Sequence, residues 1–113
     1  KLDCPTIFFP KDYSLGLKNI NDSICDFVSI DWHISLPEAR KLVDNGVGLQ
    51  GNMDPRIFYY EFDTIKKYLK SLNEFGSKNS NWIFNLGHGF LPDINHLKVK
   101  KTVQWIKKNN WNR

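Results

Sequence analysis

A chain of 113 residues, 41% hydrophobic and 14% aromatic, is long enough for one small domain with a modest core and does not have the composition of a disordered segment. No apolar run has the length needed to cross a bilayer, and the opening Lys1-Leu2-Asp3-Cys4-Pro5 carries no signal-peptide pattern, so a soluble, cytoplasmic protein is expected. The net charge of +4 raises nucleic acid as a partner, yet six basic and no acidic residues follow Asp93, leaving ten basic against twelve acidic before that point, so the excess reads as the solvated face of one C-terminal helix.

The chain starts without a methionine, almost directly on a strand-like run at residues 6–9, as a piece of a longer polypeptide would. Leu15, Leu17, Ile20 and Ile24 could then line one helix face, although Gly16 and the local asparagines and aspartates oppose a helix. Residues 27–32 form a second strand ending in Asp31-Trp32-His33. Ser35, Pro37 and Glu38 start a short helix through Ala39, Leu42 and Val43, with Asn45-Gly46 as its stop. A third strand at 47–52 runs into Gln50-Gly51-Asn52-Met53-Asp54-Pro55. Phe58, Phe62, Ile65, Leu69 and Leu72 recur at spacings of three and four and predict a helix that Gly76 ends, followed by a polar loop at 77–81. A fourth strand at 82–86 delivers Asn85-Leu86-Gly87-His88-Gly89, and a last helix carries Leu97, Lys101, Val103 and Ile106 on mixed faces. Trp105 and Trp111 are expected to pack there rather than to stack on bases.

Strands alternating with helices predict a parallel sheet, because successive parallel strands need a crossover. Four such units make either a small open sheet or half of a (β/α)₈ barrel. The loops favour the barrel, where chemistry collects at the C-terminal ends of the strands. Here the unusual residues are at those ends, in Pro10-Lys11-Asp12-Tyr13, Asp31-Trp32-His33, residues 50–55 and residues 85–89, whereas the opposite loops hold ordinary turn residues. A histidine between two glycines suits a site, since the glycines permit a sharp turn and close approach, and an imidazole can donate or accept near neutral pH. Gly87 and Gly89 are expected to enable the turn rather than to touch a ligand. Asp54 is expected to cap the following helix, with Asn52 fixing the same turn, and Asp31 and Asp54 are not taken as an acid/base pair. His33 and His96 are read as surface residues, and Cys4 and Cys25 as reduced structural thiols.

Ser29-Ile30-Asp31-Trp32, Pro37-Glu38-Ala39-Arg40, Leu49-Gln50-Gly51-Asn52-Met53-Asp54-Pro55 and Ile83-Phe84-Asn85-Leu86-Gly87-His88-Gly89 with Pro92 are, in order and spacing, similar to the C-terminal part of the uroporphyrinogen decarboxylase family. The resemblance implies a single-domain (β/α)₈ TIM barrel of roughly three times this length, of which residues 1–113 would supply the C-terminal half, about four β/α units. It also implies removal of carboxyl groups from the four acetate side chains of uroporphyrinogen III to give coproporphyrinogen III, with no metal and no organic cofactor, in a homodimer. The family's arginines and principal aspartate belong to its N-terminal half, so no catalytic residue is assigned here. His88 matches the family's active-site histidine and is implied to bind the tetrapyrrole substrate. The loop at Phe9-Pro10-Lys11-Asp12-Tyr13 departs from the family's glycine-rich form.

Two other classes remain for comparison. Methyltransferases that act with corrinoid proteins share the barrel and bind zinc through histidine and cysteine at strand ends, but Cys4 and Cys25 precede their strands, so no zinc site is expected. A non-catalytic remnant or interaction module would use the raw edges and apolar inner face of half a barrel to pair with a missing N-terminal half.

Overall fold

A computed structural model describes residues 2–109, so Trp111 and Arg113 lie outside the described residues. The described chain divides into two compact units. One comprises residues up to 54 together with 81–88, and the other comprises residues 55–80 and those from 89 onward.

The first unit is built on a parallel sheet of β1 (Ile7–Phe8), β2 (Phe27–Ser29), β3 (Gly48–Gln50) and β4 (Trp82–Ile83), in the order β1-β2-β3-β4. The register pairs Phe8 with Val28, Val28 with Leu49 and Leu49 with Trp82. The strands are shorter than the apolar runs that predict them, because the pairing loosens toward their C-terminal ends. There Ile30 N–H donates to Gln50 O, Gly51 N–H to Ile83 O and Met53 N–H to Asn85 O, and Met53 bridges Leu86. Val28, Leu49 and Trp82 are buried as parallel strands require, with Ile30, Val47 and Met53. β1 departs from that expectation. Among the described residues it has a neighbour on one side only, and Ile7 and Phe8 are 51% and 45% exposed.

The predicted helix between β1 and β2 is replaced by a 3₁₀ turn at Ser14–Asn19, and its proposed apolar face does not hold together. Leu17 and Ile20 are buried, but Leu15 is 93% exposed and Ile24 is exposed as well. The reason is local. Asn21 Oδ1 accepts from Ser23 N–H at 3.0 Å and from its hydroxyl, an Asx turn that competes with helix propagation. Cys4 is exposed and Cys25 buried, both outside disulfides.

α1 (Leu36–Leu42) starts as its sequence predicts. Ser35 accepts from Glu38 N–H at 3.4 Å while the Glu38 carboxylate reaches back to Ser35 N–H at 3.2 Å, a reciprocal capping box with Pro37 in the first turn. Leu36 and Ala39 are buried beneath it, whereas Leu42 faces outward. The helix ends at Leu42, before Asn45-Gly46, and Arg40 binds carbonyls of the C-cap and of the chain that leaves it. The guanidinium donates to Val43 O at 2.9 Å, Asp44 O at 2.6 Å and Val47 O at 2.8 Å. Burial draws the Arg40 guanidinium down from its ordinary value, and Asp44 opposes that shift.

The second unit is helical. A 3₁₀ turn at Pro55–Tyr59 precedes α2 (Phe62–Ser71), α3 (Asn73–Lys78) and α4 (His96–Lys108). Phe58, Ile65 and Leu69 are buried, but the single helix their spacing predicts is divided, with Phe58 in the 3₁₀ turn and α2 ending before Leu72, and α2 touches both α3 and α4. Gly76 does not end a helix: it is buried inside α3, and the predicted polar loop loses Ser77 and Lys78 to that helix. A mid-helix glycine costs about 1 kcal/mol relative to alanine. Local bonds oppose that cost, with Lys78 paired to Glu74 at 2.6 Å and Asn79 Nδ2 donating to Phe75 O at 2.8 Å. Asn95 caps α4 by accepting from Leu97 N–H, His96 is exposed in its first turn, and Thr102 is the residue that α4 buries. Among the described residues no helix is long and apolar enough to cross a membrane.

The capping box makes a measurable prediction. Its hydrogen bonds with Ser35 hold the Glu38 carboxyl below the ordinary glutamate range. Its stabilising effect is therefore complete above that range and fades as pH falls through the lowered value. Ser35→Ala should cost about 1 kcal/mol in urea unfolding at pH 7, and Glu38→Gln should flatten the acid limb of the stability profile relative to the parent.

Candidate functional site at the strand C-termini

The loops at the C-terminal ends of the strands lie in the first unit as far as Asp54 and His88, and two buried side chains brace them. Asp31, just beyond β2, is 7% exposed. One carboxylate oxygen accepts from Asp12 N–H at 2.8 Å, which holds the loop after β1, and the other accepts from His33 N–H at 2.9 Å. Asp12 itself sits at φ +57°, a conformation that aspartate tolerates better than most residues. Asn52, beyond β3, is also 7% exposed. Its amide nitrogen donates to Asp31 O at 2.8 Å and to Ile34 O, so it closes the turn after β2 rather than the turn at Asp54 to which the sequence assigned it. Gly51, which precedes it across a cis peptide, lies at φ +132° with Ile30 O 2.6 Å from where a Cβ would stand, a position that only glycine fills without strain.

His33 is exposed but not idle. Trp32 Nε1–H donates to His33 Nε2 at 3.0 Å, and His33 Nδ1 lies 3.2 Å from Asp31 Oδ1 and 3.4 Å from Asp12 Oδ1. Among the described residues, Asp12, Asp31 and His33 are the one group whose potential ligand atoms come within 4.8 Å of one another. The indole bond argues against a metal there. With Nε2 accepting, the neutral ring carries its proton on Nδ1 and gives it to the carboxylate, so the nitrogen that faces the cluster has no free lone pair.

The loop after β4 rests on this brace. Gly87 N–H donates to Met53 O at 2.9 Å, and Gly87 is buried. A Cβ on Gly87 would stand 2.7 Å from Trp32 N, 3.0 Å from Asp31 C and 3.1 Å from Asn52 O, all backbone atoms that cannot step aside. Gly87 is therefore needed for close approach of two backbones. Gly89 has open space around it and takes an ordinary φ. His88 is exposed, and among the described residues its side chain makes no hydrogen bond or ion pair.

The site thus presents one free imidazole above a rim of satisfied polar groups. The family model described as uroporphyrinogen decarboxylase (URO-D) matches residues 1–109. The chain belongs to the uroporphyrinogen decarboxylase family. A uroporphyrinogen decarboxylase of Chlorobium luteolum is 40% identical over 111 residues, covering 96% of this chain and 32% of the relative. One from Francisella philomiragia is 40% identical over 109 residues, covering 95% and 32%, and one from Chloroherpeton thalassium is 38% identical over 111 residues, covering 96% and 31%. The chain spans about a third of the length of these uroporphyrinogen decarboxylases.

Sequence reasoning singled out every loop of this rim but not the brace that joins them. Asp31 and Asn52 are 21 residues apart, and only the adjacent strand ends bring them together. Replacing Asp31 by asparagine would leave one accepting oxygen for two backbone donors and set an amide N–H₂ against the other. Asp31→Asn is expected to destabilise the chain by about 1–3 kcal/mol in urea unfolding, with faster hydrogen exchange at the Asp12 or His33 amide than elsewhere in the sheet.

Proposed function

We propose that this chain forms the C-terminal half of a (β/α)₈ barrel, a single domain that decarboxylates uroporphyrinogen III to coproporphyrinogen III. His88 faces the tetrapyrrole on the rim of the last strand. The observation that carries this reading is the convergence of all four strand exits on one braced rim, with a single unengaged imidazole on top. Strand order supports the barrel. A sheet read β1-β2-β3-β4 in sequence order is what a segment of a closed barrel has, whereas doubly wound sheets reverse their order at a switch point. The exposed apolar β1 is a natural seat for a preceding strand.

Each decarboxylation needs a proton at a pyrrole carbon, which turns the ring into an electron sink. The bond to the carboxylate carbon then breaks, CO₂ leaves, and the exocyclic methylene takes up a proton to become a methyl group as the ring returns its own. One proton is consumed per CO₂ lost. Cationic groups must hold the remaining carboxylates, and an anion must stabilise the protonated ring. His88 fits the first of these tasks as a hydrogen-bond donor to a substrate carboxylate. The reaction uses no metal or organic cofactor, and the groups that protonate the ring and bind most of the carboxylates come from the other half of a cytoplasmic, homodimeric enzyme.

The test compares the 113-residue chain with a fusion that joins it to the preceding two thirds of the Chlorobium luteolum relative. The fusion should release coproporphyrinogen from uroporphyrinogen and the chain alone should not. Product from the chain alone would overturn the half-barrel reading, and a folded but inactive fusion would overturn the assigned activity.

A further inference from the structure

His88 is exposed and makes no bond of its own among the described residues, so its direction is set by the backbone that carries it. That backbone is fixed one residue earlier. Gly87 is held from one side by its N–H bond to Met53 O and from the other by contact with the peptide between Asp31 and Trp32. Both supports lead to Asn52. It immediately precedes Met53, its own carbonyl borders Gly87, and its side-chain amide ties down Asp31 O and Ile34 O, the two ends of the turn on which Gly87 lies. A buried amide that donates both its protons to carbonyls from one turn leaves that turn a single arrangement, because losing either bond strands a buried acceptor.

We propose that Asn52 is a positioning residue for the reaction. It never touches the substrate, but by clamping the β2 exit turn it sets the surface under Gly87 and so aims His88 at a substrate carboxylate. The inference rests on the reading of His88 as substrate-facing. A misaimed donor loses most of its transition-state contribution, since productive geometry tolerates displacements well below 1 Å.

Coupling between the two residues tests this, measured as kcat/KM for uroporphyrinogen in the fusion enzyme. His88→Leu removes the donor and should lower kcat/KM about tenfold, the worth of one hydrogen bond to a charged group. Asn52→Ser keeps a small polar group but cannot span both carbonyls. It should cost a similar factor when His88 is present and less than about twofold when His88 is already leucine, because the only function it supports is gone. Gly87→Ala pushes the same loop off the same surface. It should follow the same pattern, giving a second route if Asn52→Ser folds poorly. A merely structural role would lower activity equally in both backgrounds, and such additivity would overturn the inference alone. If His88→Leu has no effect, the substrate-facing reading falls and this inference falls with it.

Discussion

Buried backbone groups must find partners, and at the C-terminal ends of this sheet that requirement falls on Asp31 and Asn52. Where the strand ladder loosens, the chain leaves β2 with peptide groups that no neighbouring strand satisfies. Asp31 supplies acceptors to two N–H groups, and Asn52 supplies donors to two carbonyls. The two side chains are complementary in what they offer, and neither could do the other's work. The loops after β1 and β2, and the backbone surface that receives the loop after β4, depend on this pair.

Function at such a rim is a matter of what is left over. Trp32, His33 and Asp12 are engaged with one another or with Asp31, Gly87 is pressed against backbone, and Asn52 is spent on the turn. His88 is exposed, and among the described residues its side chain makes no hydrogen bond or ion pair. A rim that satisfies its own polar groups before substrate arrives has little to reorganise when substrate binds, which is the condition for electrostatic help at low cost.

What could be read from the sequence was what lies close along it. The capping box at Ser35 and Glu38 involves residues three apart, and the spacing of Ile65 and Leu69 records which face of α2 is buried. The four parallel strands showed as short apolar runs, and the loops of the rim stood out by their unusual residues. The failures share a cause. Gly76 has the chemistry of a helix stop but is buried inside α3, and Leu15 and Ile24 have the right spacing for a helix that the Asn21 turn prevents. The motif at residues 85–89 drew attention through two glycines, yet only Gly87 is constrained, and by atoms more than thirty residues away. The Asp31–Asn52 link has no local signature because it exists only once β2 and β3 are side by side.

Arg40 shows where compositional drift meets a geometric limit. Lysine outnumbers arginine thirteen to three and asparagine occurs twelve times, a composition that A/T-rich codons would produce. At position 40 one planar fork reaches three separate carbonyls between the end of α1 and the start of β3, a task for which a single ammonium centre lacks the span. Most cationic positions on this surface need only a charge and can follow whatever the genome's base composition favours. Position 40 needs a shape, so mutational bias would be held in check there by folding rather than by catalysis.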